Sequence, residues 1–178
     1  MKFLVISTLS KENAKANEII NRIINQTNDT EIFYTGMYDI GFCIGCTQCW
    51  LKTPGVCVKK DDWEILFRKF LESDCIIFLT DTKYGFISYK MKNIVDRLIP
   101  LCIPYTKLYK GEARHVSRYK KCWKIGLIYS GGGDKQFLGE WMERFTLNFF
   151  SESLGAFNID ENGELFDELD NIQLLPQT

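Results

Sequence analysis

Apolar residues in this chain come either in short continuous runs or in runs spaced three and four apart, and the two kinds alternate. Residues 2–7 form an apolar run with β-branched members, the pattern of a buried strand. Asn13 stands where a helix cap is expected, and Ala16, Ile19, Ile20, Ile23 and Ile24 follow at helical spacing. Residues 31–34 read as a second, shorter strand. Further on, Asp61 with Glu64 resembles a capping box, ahead of a helix with Leu66, Phe67, Phe70 and Leu71 inward. Residues 75–79 are a near-continuous apolar strand, as expected when helices cover both sheet faces. Ser88 is placed to cap the next helix, Met91, Ile94, Val95 and Leu98 form its stripe, and Pro100 ends it. Residues 100–121 read as an irregular, basic and aromatic connection. A strand at 123–129 then runs into Ser130-Gly131-Gly132-Gly133-Asp134. Asp134 suits a cap, with Phe137, Leu138, Trp141, Met142 and Phe145 as a broad apolar face. Residues 154–159 form a last, edge strand. An acidic tail, 160–178, follows, with Asn162-Gly163 marking a turn.

Strands alternating with helices predict an α/β domain spanning 1–178, with a parallel sheet and right-handed crossovers. Ligands of such sheets sit beyond the carboxyl ends of the strands, where strand order reverses. The loops at 7–13, 80–88 and 130–134 would converge there, and a cysteine-rich loop at 38–60 leaves the second strand at the same edge.

At 178 residues, the chain suffices for one sizeable core. A net charge of −1 gives no basic footprint for nucleic acid. The apolar start is too short for a secretory signal, and no stretch approaches a membrane span. The expected location is the reducing cytoplasm, where clustered cysteines point to metal or redox chemistry rather than disulfides.

Four of the seven cysteines fall within fifteen positions: Cys43, Cys46, Cys49 and Cys57. Thiolates so spaced can hold a 4Fe–4S cluster or a zinc ion; the loop can instead be metal-free, packing Trp50 and Leu51 against the domain or a partner. Cys75 opens a strand and reads as a small buried hydrophobe. His115 is the only histidine, so no Ser-His-Asp arrangement is supported, and there is no phosphate-binding P-loop.

Together these residues resemble the flavodoxin-like NAD(P)H-dependent FMN reductase and iron–sulfur flavoprotein families. The likeness is carried by the first strand and its loop; by Cys43-x-Gly-Cys46-x-x-Cys49-Trp50 with Pro54-Gly55-x-Cys57 and Asp61-Asp62; by Tyr84-Gly85-x-x-Ser88-x-x-Met91-Lys92 ending in Asp96-Arg97; and by the glycine turn. It implies a three-layer flavodoxin-like sandwich with five parallel strands in order 2-1-3-4-5. It implies FMN as cofactor, NAD(P)H as co-substrate, a quinone, flavin or ferric complex as small-molecule electron acceptor, and homodimers or homotetramers. No residue is assigned a catalytic role, since the flavin would carry the chemistry. Phosphate contacts fall to Ser7, Thr8, Ser10 and Asn13; ring contacts to Thr82, Lys83, Tyr84, Gly85 and Phe86; pyrimidine contacts to Ser130, Gly131, Gly132 and Gly133. The cluster ligands would be Cys43, Cys46, Cys49 and Cys57. Leu9, Lys15 and Ala16 stand where relatives carry polar groups, and Asp81 brings a negative charge to the ring loop. Arg114 or Lys110 could serve a nicotinamide phosphate, while Asp96-Arg97 reads as a helix-end ion pair. An FMN and iron–sulfur electron-transfer protein partnered by ferredoxin, and a non-catalytic fold that has lost FMN, are the alternatives.

Overall fold

A computed structural model describes residues 1–27, 29–160 and 167. The chain runs β1 (Phe3–Ser7), α1 (Ala14–Gln26), β2 (Thr30–Tyr34), α2 (Gln48–Leu51), α3 (Trp63–Glu72), β3 (Cys75–Lys83), β4 (Phe86–Ile87), α4 (Tyr89–Asp96), β5 (Cys102–Tyr109), β6 (Glu112–Ser117), β7 (Lys124–Ser130), α5 (Lys135–Leu147) and β8 (Glu152–Asn158). Five strands pair in parallel in the order β2-β1-β3-β7-β8. This is the expected flavodoxin-like 2-1-3-4-5 sheet. Among the described residues no helix is long and apolar enough to cross a membrane. Apart from Asp160 and Asp167, the acidic tail lies outside the described residues, as does the Asn162-Gly163 turn.

The sheet positions the core because successive side chains leave opposite faces. Leu4 and Ile6 of β1, with Ile76 and Phe78 of β3, face α3, α4 and α5. Phe3, Val5, Cys75, Ile77 and Leu79 face Ala16, Ile19, Ile20 and Ile23 of α1. Cys75 is fully buried, and burial pushes its thiol up to about 12, so it is the inert small residue expected. Ile24 and Phe137, expected on inner faces, are exposed; each lies at the edge of its helix's apolar stripe.

Five local expectations are corrected. Residues 100–121 are not irregular: β5 and β6 form an antiparallel hairpin. Its turn, Lys110-Gly111, has φ of 50° and 80°, the left-handed pair of a type I′ turn. Lys-Gly lacks the usual Asn-Gly signature, and Pro104 falls within the register shift between Cys102 and Thr106, which obscured the strand. The 80–88 loop is likewise a hairpin. β3 continues to Lys83 and returns through Tyr84 and Gly85, both at positive φ, into β4. Next, Asp61 and Glu64 form no capping box. Asp62 precedes α3 without a side-chain cap, and Glu64 pairs with Arg68 at 3.0 Å. Finally, Asp96 and Arg97 do not pair with each other: Asp96 binds Lys92 and Arg97 binds Asp61. α4 also stops at Asp96, so Pro100 sits in the short 3₁₀ turn Ile99–Leu101 rather than at the helix end.

Phe78 is fully buried against Phe145, with ring centroids 5.9 Å apart. Phe78→Ala is expected to lower unfolding stability by about 3–5 kcal/mol, read from the denaturant midpoint; the exposed Phe137→Ala should cost far less.

Candidate functional site

The loops leaving β1, β3, β7 and β8 are stitched into one rim. The Thr8 N–H donates to the Leu79 carbonyl at 2.9 Å. The Thr8 hydroxyl donates to the Thr80 hydroxyl at 2.7 Å, which in turn meets Ser88 at 2.9 Å. Thr82 Oγ1 reaches the carbonyls of Ser130 at 3.2 Å and Gly132 at 2.7 Å. Asn158 Nδ2 donates to the Gly131 carbonyl at 3.2 Å. The convergence expected of the three loops is therefore present, with β8 added to it.

Side chains expected to grip a phosphate are largely engaged within the protein. Ser7 is buried, its hydroxyl bonded to the N–H and carbonyl of Leu9. Thr8 is held by Thr80. Asn13 caps α1, accepting from the Ala16 N–H at 2.9 Å. Ser10 is exposed and pairs with Glu12. Lys11, lying over the Tyr34 ring, and Lys15, paired with Asp160, flank this turn with positive charge.

The ring-loop residues separate. Thr82 faces the glycine turn, Lys83 lies 3.9 Å from Asp81, and Tyr84 projects fully into solvent. Phe86 turns away to Trp141, at 5.0 Å edge-on. A Cβ on Gly131 would come within 2.9 Å of Thr82 Oγ1, so only glycine fits under that hydroxyl. At Gly133 a Cβ would meet Leu138 at 3.0 Å. At Gly85 and Gly132 a Cβ would meet nothing within 4 Å, so the main chain there is bare and approachable. That open main chain fits a flat ring edge.

The cysteine loop is a second, firmly built centre. Gly55 N–H donates to the carbonyl of Cys49 in α2 at 2.9 Å. Trp50 Nε1 donates to the Ile99 carbonyl at 3.1 Å, and its ring meets His115 at 4.8 Å. Arg118 donates to the carbonyls of Pro100 at 3.0 Å, Cys49 at 3.4 Å and Cys102 at 3.4 Å. The β5–β6 hairpin thus braces the loop. Arg114 is buried and bonded to Asn148 and Glu112, and Lys110 occupies the hairpin tip over Tyr109.

Arg97 lies at the heart of this centre, with its side chain 1 % exposed and that of its partner Asp61 5 % exposed. Nη1 donates to Asp61 and to the Gly41 carbonyl at 3.0 Å; Nη2 donates to Cys57 Sγ at 3.3 Å. The Trp63 ring lies beside the guanidinium at 5.0 Å. Asp61 also accepts from the N–H groups of Gly41 at 3.1 Å and Trp63 at 3.2 Å. Sequence reading missed this arrangement. Its signal was a charged residue three positions after Ile94, on a stripe whose members Met91, Ile94 and Leu98 are buried.

Cys43, Cys46, Cys49 and Cys57 are the four thiols that a 4Fe–4S cluster would use. Among the described residues, no three His, Cys, Asp or Glu side chains converge on a single metal position. A cubane cluster does not ask for that convergence, because each thiolate binds its own iron. The four thiols are nevertheless near neighbours: burial, then the thiols of Cys57, Cys43 and Cys46, push Cys49 above the ordinary thiol range. All four are free thiols. A cation already directed at Cys57 Sγ matches an anionic sulfur there.

The likeness drawn from the motifs stands. The chain is 24% identical to an iron–sulfur flavoprotein of Methanocaldococcus jannaschii over 134 residues, covering 75% of this chain and 61% of that one. It is 31% identical to an iron–sulfur flavoprotein of Archaeoglobus fulgidus over 121 residues, covering 60% and 54%. The matches thus span a little over half the length of these relatives. In structure it is similar to an NAD(P)H:quinone oxidoreductase from Methanothermobacter marburgensis, with a TM-score of 0.61, 12% identity, and 97% and 94% of the two chains covered. No family model matches the chain.

Burial raises the Asp61 carboxyl, but its bonds to Arg97, Gly41 and Trp63 outweigh this and hold it below the ordinary value of 3.8. Its stabilising contribution is therefore complete above the unfolded value and lost as pH falls through the lower folded one. Asp61→Asn should cost about 3 kcal/mol at pH 7, and the gap from wild type should begin to narrow only as pH falls below about 3.8, checked by denaturant midpoints across pH.

Proposed function

We propose that this chain is an FMN-dependent oxidoreductase that takes electrons from NAD(P)H and passes them to a small acceptor such as a quinone, free flavin or ferric complex. In this reading Cys43, Cys46, Cys49 and Cys57 hold a 4Fe–4S cluster. The observation that carries it is the rim: four strand ends bound together by Thr8, Thr80, Thr82 and Asn158, with open main chain at Gly85 and Gly132. The printed names of the relatives, iron–sulfur flavoproteins, support the same pairing of flavin and cluster.

When bound, FMN supplies hydride acceptance and onward electron transfer, and a cluster supplies single-electron storage. The chain's own contribution is placement. Gly85 and Gly132 let the ring edge approach the backbone. Thr82 fixes the turn from Ser130 to Gly133 by holding two of its carbonyls. Ser7, Thr8 and Asn13 shape the first loop from within, so phosphate binding falls to main-chain N–H groups at the start of α1 and the charge of Lys11, with Ser10 and Lys15 contributing once they leave Glu12 and Asp160. Tyr84 at the tip of the β3–β4 hairpin is free to meet the flavin, a substrate or a second copy of the chain. Arg97 and Arg118 give the cysteine loop its shape without using the cluster to do so.

A second reading keeps both cofactors but draws electrons from ferredoxin, with no nicotinamide site. The braced cysteine loop favours it, as does the withdrawal of Arg114 from the surface. The two separate on reduction. Rapid bleaching of bound flavin by NADPH supports the first, and bleaching only by reduced ferredoxin supports the second.

FMN titration tests the shared premise. Wild type should quench FMN fluorescence saturably and gain thermal stability with the cofactor. Gly132→Ala should raise the FMN Kd by about tenfold, equivalent to about 1.4 kcal/mol, while leaving the melting temperature of the free protein nearly unchanged, because nothing lies within 4 Å of the added Cβ. A wild-type protein that stays colourless, with no shift in millimolar FMN, would instead identify a fold that has lost its flavin.

A further inference from the structure

We propose that the buried Arg97–Asp61 pair is a redox-tuning device, which positions Cys57 and sets the reduction potential of the cysteine centre. This rests on reading the four cysteines as cluster ligands. An arginine ending a helix needs only water or carbonyls to be satisfied. Arg97 instead spans 40 residues of sequence to place Nη2 on Cys57 Sγ at 3.3 Å. Through Nη1 it also holds Asp61 and the Gly41 carbonyl, two positions before Cys43. One planar fork therefore touches the entry of the loop, its last cysteine and Asp61, two positions before α3. Lysine has no such fork.

The electrostatic consequence has a sign. Hydrogen bonds to cluster sulfurs and local net charge are what set cluster potentials. Positive charge beside a sulfur favours the reduced, more negative state and raises the potential; negative charge lowers it. Here the two charges nearly cancel, and both are shielded from water, so salt screens them little. Removing either member leaves the other uncompensated next to Cys57. The two removals must then act in opposite directions, which a merely structural role would not produce.

The test compares anaerobically reconstituted full-length wild type with Arg97→Gln, Arg97→Lys, Asp61→Asn and the double variant Arg97→Gln with Asp61→Asn. Iron and sulfide per chain are measured alongside the midpoint potential, followed by electron paramagnetic resonance. Arg97→Gln should move the midpoint to more negative values and Asp61→Asn to more positive ones. Arg97→Lys, which keeps the charge without the fork, should fall between wild type and Arg97→Gln. The double variant should return toward wild type, and it avoids an unpaired buried charge if a single variant folds poorly. Loaded variants whose midpoints all equal wild type, or all shift the same way, would overturn the tuning role alone. A wild type that retains no iron after reconstitution would sink the cluster reading and this role with it.

Discussion

A guanidinium shut away from water must have its donors met by the protein, because each unmet one carries the cost of lost hydration. At Arg97 the two Nη groups are met in this way while the buried Nε has no partner, and the Nη bonds organise the cysteine side of this molecule. Its acceptors come from three places in sequence: Gly41 before the cysteines, Cys57 after them, and Asp61 at the start of α3. Asp61 in turn accepts two main-chain N–H groups, so the start of the helix and the neck of the loop are fixed by one carboxylate. Trp63 closes the arrangement beside the guanidinium. A pair of this kind gives shape more than stability, since desolvating both charges offsets much of their attraction.

The sheet's upper edge is governed by hydroxyl groups in a similar way. Thr8, Thr80, Ser88 and Thr82 link neighbouring loops to one another, leaving glycine main chain as the surface presented outward. The rim is rigid where its threonines lie and open where its glycines lie. Gly131 joins the two roles, because its missing side chain is what lets Thr82 sit against the turn.

The alternating pattern made the layers legible. Residues such as Leu4, Phe3, Ile76 and Ile77 could be assigned to core by spacing alone, because burial on both faces of a parallel sheet leaves continuous apolar runs. The convergence of three loops followed from topology. Short-range chemistry was harder to read. Nothing in Asp96-Arg97 says that each residue binds a different partner, since the choice depends on Asp61 lying close after folding. The β5–β6 hairpin was hidden by Pro104 and by a Lys-Gly turn. Ser7, Thr8 and Asn13 look like ligand contacts as residue types, yet the folded chain bonds them to Leu9, Thr80 and Ala16. Residue type shows what a side chain can bond to; only proximity decides what it does bond to.

The distance along the chain between the cysteines and Arg97 bears on biosynthesis. When Cys43 to Cys57 leave the ribosome, the residue that fixes their geometry has yet to be made, and so has Arg118, which steadies the Cys49 carbonyl. The thiols therefore acquire their arrangement only after α4 and the hairpin have been translated and docked, so the ordering of this loop is a late event in the making of the chain.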